Sequence, residues 1–515
     1  MGDLSGYSLT SRLGRLEQIW LLASGGLRMN LRFILPSPSL VVLAGLVVLA
    51  LAAYQGAPFG PTPAQAAVIT VDTLNDENDA AGEENGFCAL REAINNANND
   101  NSTNPDCDAG TGTDNIVFDP VVFAGGQTIS LSSDLFNITD ADGLTIDGGG
   151  LVTVDGAGAH RLFDFSQGAN VLRGITLTNG FHGSGGGIFV VNPATLELSD
   201  SIVQGNEAEF DGGGIYNSGG IVTIIDSRIG PDNEAEDSGG GIFNDDGTMT
   251  ITGSTVVGNS SLGGGGFGAD SGGGIFNLDG DLLLVNSTIS GNTSATVGGG
   301  IFNVFGEVTL INVTVANNTA EGEDFAGTSG GGLYHQFPNT TFTFFLTNTI
   351  IAGNTPDDCG GFEPGFDSLG NNLDSDDTCV LTQLSDLPAG IANLGLLASN
   401  GGPTQTHALQ TGSEAIDAGN NTTCGQAAPD GSAPFDQRGS GFDRISDGIC
   451  DIGAFEVQVA PPEEPTTVPE FVPDPLTPAP TRTPAPTPTL APVATQPAEA
   501  QAPITPPATG DGGLR

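Results

Sequence analysis

The stretch GGGIY at Gly212–Tyr216 is one copy of a pattern that recurs along the centre of the chain and determines how it folds. After the first copy, five more begin at intervals of 27, 27, 33, 26 and 32 residues. The six copies are Gly185–Phe189, Gly212–Tyr216, Gly239–Phe243, Gly272–Phe276, Gly298–Phe302 and Gly330–Tyr334. A period of this length is typical of repeats that stack into a solenoid.

Short apolar runs fill the sequence between the copies, as in Val222–Ile225 and Leu282–Val285. They are rich in Val, Ile and Thr and alternate with period two, which favours β-strands. One unit has too little apolar surface to fold alone, so the units must stack, about 4.8 Å apart, with like strands paired. The sequence therefore predicts an all-β fold, a right-handed parallel β-helix over residues 116–397.

A second apolar run in each unit ends in asparagine, as in Ser287–Asn292. Asparagine tolerates a left-handed backbone, and stacked amides can hydrogen-bond along the axis of the solenoid. We therefore expect a structural ladder of turn asparagines. Its predicted members are Asn179, Asn206, Asn233, Asn259, Asn292, Asn318 and Asn354.

One aromatic residue closes each copy of the glycine-rich pattern. If the preceding Ile or Leu faces the core, strand alternation turns these rings outward as a ladder. An exposed ladder would stack on sugar rings or on a protein partner; the alternative, which we favour, is that long corner loops cover it. Its predicted members are Phe189, Tyr216, Phe243, Phe276, Phe302 and Tyr334.

The charge of the chain limits its partners. The 515 residues contain 12 Lys plus Arg, all of them arginine, and 61 Asp plus Glu, for a formal net charge of −49. Nucleic acid and anionic lipid are excluded, because phosphate contacts need clustered cations. No cofactor is predicted, although acidic turns attract calcium, with Asp237 and Asp270 as candidate ligands. A plain loop is the favoured reading at Asp270.

Six cysteines form three sequence-local groups of two. None lies in a CxxC pattern or beside histidine at a metal-ligand spacing, which argues against zinc. An even number in an exported chain indicates disulfides, and we favour pairing between neighbours among the fifteen connectivities that six cysteines allow. The cysteines are Cys88, Cys107, Cys359, Cys379, Cys424 and Cys450.

Both ends of the chain differ from its centre. Residues 1–66 are predicted to be a signal-peptide region, with an apolar run at Leu40–Ala53, cleavage after Ala66 and a true start at Met29. An uncleaved N-terminal anchor is the alternative. After cleavage we expect no membrane-embedded domain. Residues 458–515 are rich in Pro and Thr and are predicted to form a disordered, extended stalk. The protein is therefore expected to be secreted, extracellular or displayed on the cell surface.

Two motifs near the ends of the repeat carry a family resemblance. Val71–Asp76 with Cys88–Asn95 resembles the CSLREA motif of bacterial surface β-helix proteins, with Ala89 in place of the usual serine. Asp436–Gly439 with Cys450–Glu456 is similar to the choice-of-anchor Q domain. The resemblance implies a pectin-lyase-like β-helix displayed on a bacterial envelope, with an N-terminal cap at 67–115 and a C-terminal cap at 398–457.

The N-terminal motif also contains the best helix-forming segment of the mature chain, Arg91–Ala97. We expect a short capping helix there, stapled by Cys88 and Cys107. Arg91 and Glu92 are chemically able to act in catalysis, but a structural role within the cap is the favoured interpretation.

The function that these features favour is structural or adhesive and non-catalytic, with a carbohydrate or an extracellular or cell-envelope protein as partner. The alternative is a polysaccharide-active enzyme, either a pectate-lyase-like enzyme or a glycoside hydrolase. A lyase needs a positioned base, commonly arginine, and between residues 180 and 357 the only Lys or Arg is Arg228. Arg161 and Arg173 lie in earlier coils and are candidates to approach each other. No catalytic residue is predicted.

Overall fold

The computed structural model describes residues 66–79, 85–135, 137–263, 271–322, 329–336, 344–362, 365–426 and 434–458, together with the antiparallel strand pair Leu21–Leu22 and Arg28–Met29. The predicted apolar run Leu40–Ala53, the Pro/Thr-rich residues 459–515 and Asp270 lie outside the described residues. Within the described part, no helix is long and apolar enough to span a membrane.

The repeats form a parallel β-helix, which confirms the predicted fold class. The coils contribute strands to four parallel sheets, which we number in the order in which the chain visits them after a glycine-rich turn. Like residues pair from coil to coil: Ile215 is in register with Ile188 on one side and Ile242 on the other. Crossover connections between parallel strands are almost always right-handed, which agrees with the right-handed coil predicted from the sequence.

Sheet 1 begins at the glycine-rich turns and carries the aromatic ladder. Its strands are Phe163–Phe165, Ile188–Val191, Ile215–Ser218, Ile242–Asp245, Ile275–Leu278, Ile301–Val304, Leu333–Gln336 and Cys359–Gly361. Sheet 4 is narrow and precedes the next turn. Its strands are Phe181–His182, Glu207–Ala208, Glu234–Ala235, Ser260–Ser261, Thr293–Ser294 and Thr319–Ala320.

Sheets 2 and 3 lie between them and share two long strands, Leu144–Asp155 and Ala169–Thr178. The other strands of sheet 2 are Val68–Val71, Asp114–Phe118, Thr195–Ser199, Ile221–Ile225, Thr248–Thr252, Asp281–Val285, Glu307–Ile311, Phe344–Thr347 and Phe366–Ser368. The other strands of sheet 3 are Gln127–Ser130, Ile202–Gln204, Arg228–Ile229, Thr255–Val257, Thr288–Ser290, Thr314–Ala316, Ile350–Ala352, Leu373–Asp374 and Leu387–Pro388.

The glycine triplets make corners that no other residue fits. Gly212 has φ +67°, in the left-handed region that disfavours a side chain. A Cβ on Gly213 would lie 2.2 Å from the carbonyl oxygen of Glu234 in the next coil. The first glycine therefore supplies the turn, and the second lets neighbouring coils approach at the spacing of a parallel sheet.

The core is a column of aliphatic side chains inside the coils. Along Ile221–Ile225 the side chains of Val222 and Ile224 are buried, whereas Ile221 is exposed. The same alternation recurs in the neighbouring coils, so each coil adds a layer of Val, Ile and Leu to one continuous core. Burial of that column supplies the driving force that a single repeat lacks.

The predicted N-terminal helix is present as α1, Leu90–Asn99. Ala93, Ile94 and Ala97 are buried in the core cluster, and Asp100 ends the helix with φ 49°. The coil begins earlier than predicted, since Val68–Val71 pairs in register with Asp114–Phe118 inside the segment assigned to the cap.

The segment after the last coil packs along the side of the β-helix. It contains an antiparallel pair, Leu394–Ala398 with Thr406–Leu409, and a short helix α2, Asn421–Cys424. The side chain of His407 bonds to Ser290 at 2.8 Å, and the amide of Ala454 donates to Thr314 Oγ1 at 3.0 Å. Both partners lie on sheet 3, so the predicted C-terminal cap covers the outer face of that sheet.

The three neighbouring cysteine pairs are the three disulfides of the structure. Cys88–Cys107 joins the start of α1 to the loop that follows the helix, with the Cα atoms 4.8 Å apart. Cys359–Cys379 and Cys424–Cys450 close loops of similar length, with sequence separations of 20 and 26.

Candidate functional site

The aromatic ladder faces outward from sheet 1 and is largely covered. Tyr216 and Phe243 stack with their centroids 5.0 Å apart, and Phe302 and Tyr334 meet edge to face at 5.1 Å. From Phe243 onward the rings are buried, whereas the first two members remain half-buried. Val297 packs in the same cluster. The ladder is therefore mainly a second apolar core on the outside of sheet 1, the alternative that the sequence favours.

Arg161 closes the N-terminal end of the aromatic ladder. Its guanidinium lies 4.6 Å from the centroid of the Phe189 ring and donates to Asp164 at 2.8 Å. Its Nη2 also lies 2.5 Å from Nδ1 of His182. Burial and the charge of Arg161 lower the pKa of His182, so this histidine is held neutral at neutral pH. Arg173 instead pairs with Asp147 on the long strands, so the two arginines do not form a shared site.

A pocket of about 220 Å³ lies where the C-terminal segment meets the edge of sheet 3. Its lining residues are Asp200, Ser201, Ile202, Asp226, Arg228, Pro403, Thr404 and Gln405. The pocket combines two carboxylates, one guanidinium and backbone from the folded-back segment, a mixture that suits a polyhydroxylated or polar ligand.

The backbone positions the acidic side of this pocket. Asp200 and Asp226 occupy the same turn in successive coils, between sheets 2 and 3, with φ 49° and 48°. Asp tolerates that left-handed conformation better than most residues. The carboxylate of Asp226 points along the axis toward Gly253, where the next coil has no side chain.

Arg228 stands in the register position that Thr255 and Thr288 occupy in the next two coils. Its Nη2 donates to Oε1 of Gln204 at 2.8 Å. Among the arginines that the structure describes between residues 66 and 458, Arg228 and Arg444 form no ion pair with a described carboxylate. Arg444 is fully buried, whereas Arg228 is only half-buried. In this part of the chain, Arg228 is therefore the arginine that is accessible to solvent and has no described carboxylate as an ion-pair partner.

The asparagine ladder runs through the corner between sheets 3 and 4. Nδ2 of Asn206 donates to Oδ1 of Asn233 at 2.9 Å, and each following member repeats this contact at 2.8 to 2.9 Å. The ladder ends on a carboxylate, since Nδ2 of Asn354 donates to Oδ1 of Asp358 at 2.8 Å. The ladder satisfies the polar groups of this corner with hydrogen bonds inside the protein, so its role is structural.

Two details of the predicted ladder are wrong. Asn179 is not a member: Gly180 takes the ladder position in that coil, and its amide donates to Oδ1 of Asn206 at 2.8 Å. The left-handed residue is the one that precedes each ladder asparagine, as with Gly205 at φ 61°, whereas Asn179 itself has φ 52°. The ladder asparagines from Asn206 to Asn354 do not themselves have a positive φ, so the turn falls one residue earlier than predicted.

A second asparagine ladder was not predicted. Asn217, Asn244, Asn277 and Asn303 follow the aromatic residues of sheet 1, are fully buried and bond in series at 2.7 to 2.8 Å. Each Nδ2 also donates to a carbonyl oxygen three residues later in its own coil. The signal was present, because four of the six copies have Asn after the ring. It was missed because a polar residue at an inward position runs against strand alternation.

The N-terminal motif residues have structural contacts. Arg91 pairs with Asp76 at 2.8 Å and donates to the carbonyl oxygen of Ser133 at 2.8 Å. Glu92 accepts from the amide of Ala89, the N-cap of α1, at 3.0 Å and from the amide of Asp79 at 2.9 Å, so its carboxylate joins the start of the helix to the preceding segment. The structural interpretation of Arg91 and Glu92 is thus supported by their contacts, with Asp76 as the ionic partner of Arg91.

The C-terminal motif fastens the folded-back segment. Arg438 pairs with Asp436 at 2.5 Å and lies between the rings of Phe442 and Phe455, 4.0 and 3.8 Å from their centroids. Gln437, between the two charged residues, reaches sheet 3. Its Oε1 accepts from Thr288 Oγ1 at 2.6 Å. The motif therefore stabilises the folded-back segment and also binds it to sheet 3.

Three carboxylate groups among the described residues are close enough together to share a cation. They are Asp79, Glu92 and Asp106; Asp100, Asp140 and Asp142; and Asp358, Asp374 and Asp376. None includes Asp237. Burial raises the pKa of Asp374 to about 7, and burial with neighbouring carboxylates raises the pKa of Asp140 to about 6.

Comparison with known proteins adds one structural neighbour. No protein-family model and no curated protein matches this sequence. A crystal structure of pectate lyase Pel9A is similar with a TM-score of 0.40 and 16% identity, over 76% of this chain and 96% of that chain. The similarity is low, and the fold assignment rests on the strand register described above.

Proposed function

We propose that this chain is an exported, surface-displayed β-helix protein with a structural or adhesive role, whose partner is a carbohydrate or an extracellular or cell-envelope protein. The pocket around Arg228 is the proposed contact site. The observation that carries the proposal is that Arg228 is a reachable guanidinium beside Asp200 and Asp226, without an ion pair to a described carboxylate.

The use of the other charged residues supports a non-catalytic role. Arg91 and Arg438 are buried in ion pairs that hold the two terminal segments, and Arg161 seals the aromatic ladder. Lyase chemistry needs a positioned base and hydrolase chemistry needs two carboxyl groups around a scissile bond. The pocket contains one arginine and two aspartates from equivalent turns. These side chains can also bind the hydroxyl and amide groups of a ligand without any reaction.

Three disulfides support the exported location, because such bonds persist in oxidising compartments. N-terminal sequencing of the chain recovered from its native host tests this part. A mature start at Ala67 is expected, and an intact N-terminus on a protein retained in the cytoplasm would contradict it.

The binding proposal is tested with the full chain on a glycan and matrix-protein array, followed by affinity measurement on the best ligand. Arg228→Gln is expected to weaken binding at least tenfold, since it removes the charge and the forked donor geometry. Arg173→Gln is the matched control, because Arg173 is also an outward arginine with the same charge. Equal affinity for the parent and Arg228→Gln would overturn the assignment of the pocket.

The enzyme alternative has its own result in the same experiment. Incubation with a polyuronate panel and calcium, followed by absorbance of unsaturated products, detects a lyase, and a reducing-end assay detects a hydrolase. Turnover that Asp200→Asn or Asp226→Asn abolishes would replace the adhesive proposal with an enzymatic one.

A further inference from the structure

Four aspartates converge where the N-terminal segment joins the first coils. Asp100 ends helix α1, Asp114 begins the strand Asp114–Phe118, and Asp140 and Asp142 lie in the turn before Leu144–Asp155. Ligand oxygens of Asp100, Asp140 and Asp142 lie within 4.8 Å of one another. Two oxygens bound to one calcium ion are separated by at most about 5 Å, twice a metal–oxygen distance of about 2.5 Å. The spacing therefore fits a single cation.

Buried oxygens that lack a partner distinguish this group from an ordinary acidic surface. Asp140 is 4% exposed and Asp114 is 1% exposed, yet Oδ2 of each has no hydrogen-bond partner. A buried carboxylate oxygen without a donor costs free energy that a bound cation would remove. The group at Asp358, Asp374 and Asp376 differs, because its buried carboxylates accept hydrogen bonds on both oxygens.

The remaining carboxylate contacts orient the group. Oδ1 of Asp114 accepts from the amides of Ala67 and Thr111 at 3.2 and 2.9 Å. Oδ1 of Asp140 accepts from the amide of Asp142 at 2.9 Å, and Oδ1 of Asp100 from Gly112 at 2.6 Å. One oxygen of each of these three carboxylates is thus held by the backbone. Such pre-orientation reduces the ordering cost of binding a cation.

We infer that Asp100, Asp140 and Asp142 form a divalent-cation site that suits calcium, with the buried Asp114 adding negative charge beside it. Calcium accepts six to eight oxygen ligands in flexible geometry, which mono- or bidentate carboxylates and water supply. The site joins the end of α1 to the turn that precedes Leu144–Asp155, so the cation would fasten the N-terminal segment to the β-helix. The inference does not depend on the Arg228 pocket or on its ligand.

Calcium titration of the full chain, stripped with EGTA and desalted, tests the inference by calorimetry and thermal unfolding. The parent is expected to bind one ion at this site with a dissociation constant between about 1 μM and 1 mM, the range of regulatory and extracellular calcium modules. Calcium should raise the unfolding midpoint of the parent, and EGTA should reverse that rise.

Asp140→Asn is expected to lower the calcium affinity at least tenfold and to remove the rise of the midpoint. In EGTA the same variant should be at least as stable as the parent, because it removes a buried charge whose oxygen has no partner. A protein that has merely lost structure would be less stable in both conditions. Asp237→Asn is the charge-matched control and should behave like the parent. If Asp140→Asn does not fold, Asp142→Asn, at an exposed position, should show the same loss of affinity.

The inference is overturned if the parent shows no saturable calcium binding. It is also overturned if Asp140→Asn or Asp142→Asn binds calcium as the parent does. Equal rises of the midpoint with magnesium and calcium, in the parent and in both variants, would show general charge screening and reject a defined site.

Discussion

Gln437 and Thr255 are in contact although 182 residues separate them in the chain: Nε2 of Gln437 donates to Oγ1 of Thr255 at 3.0 Å. The same nitrogen lies 2.9 Å from Thr404 Oγ1 and 3.0 Å from the carbonyl oxygen of Gln405. Gln437 is almost fully buried between sheet 3 and the folded-back segment. One amide thus ties three parts of the chain together.

Gln437→Ala is expected to lower the free energy of unfolding by about 2 to 3 kcal/mol, because it leaves buried donors and acceptors without partners. Urea denaturation followed by circular dichroism measures the change. Gln410→Ala removes an exposed amide of the same type and should change stability by less than about 0.5 kcal/mol. Equal effects of the two variants would show that Gln437 does not hold the interface.

The asparagine ladder predicts that the same substitution has different effects on stability at Asn259 and at Asn179. Asn259→Gly is expected to cost about 2 to 4 kcal/mol, because Asn259 is buried and bonds to both Asn233 and Asn292. Asn179→Gly is expected to be nearly neutral, because Asn179 is left-handed and glycine occupies the equivalent position at Gly205. Comparison of the unfolding midpoints in urea checks both predictions. A large loss of stability in Asn179→Gly would show that Asn179 is a member of the ladder.

The aromatic ladder predicts a gradient of stability along sheet 1. Phe302→Ala should cost about 3 to 5 kcal/mol, since Phe302 is fully buried and packs on Phe276 and Tyr334. Phe189→Ala should cost less, about 1 to 2 kcal/mol, since its ring is half-buried and stacks on one neighbour, Tyr216. Thermal unfolding of the two variants measures the order, and a larger loss in Phe189→Ala contradicts a covered ladder.

The coil could be predicted from the sequence because the recurring glycines, Ile and aromatics are local signals with a period. Ile215 aligns with Ile242 in the sequence and in the sheet alike. The wrong assignment of Asn179 to the ladder also comes from reliance on a local pattern. Asn-Gly at 179–180 and Gly-Asn at 205–206 contain the same letters in the opposite order. Only the pairing of Phe181 with Glu207 shows which residue stands at the ladder position.

The pocket and the cation site could not be predicted, because both depend on contacts between distant segments without a repeat. The sequence marks Arg228 as the only Lys or Arg between residues 180 and 357, but Gln405 lies beside it only because the C-terminal segment folds back along sheet 3. Asp100, Asp140 and Asp142 have nothing in the sequence that sets them apart from other turn aspartates. Their shared position follows from the path of α1 and the first coils, which composition does not reveal.

Glu456 predicts how the stability of the protein depends on pH. Its carboxyl group is buried, accepting from the amides of Asp451 at 2.8 Å and Ser446 at 3.2 Å. Burial, together with the charge of Asp451, raises the pKa of Glu456 from 4.5 to about 8, against the opposing charge of Arg444. Folding therefore takes up a proton between these two values, so this contribution to stability is complete below about pH 4.5 and is lost as the pH rises to about 8.

Glu456→Gln tests this linkage, because glutamine keeps the shape and cannot ionise. The parent should lose up to about 1.4 kcal/mol per pH unit through this group between pH 5 and 8, and the variant should show a shallower decline. Urea denaturation at pH 5, 6, 7 and 8 gives both slopes. Glu207→Gln, at an exposed position of sheet 4, should keep the parental slope. Because the parent and Glu456→Gln share every other titrating group, parallel slopes for these two proteins would mean that Glu456 is ionised in the folded protein.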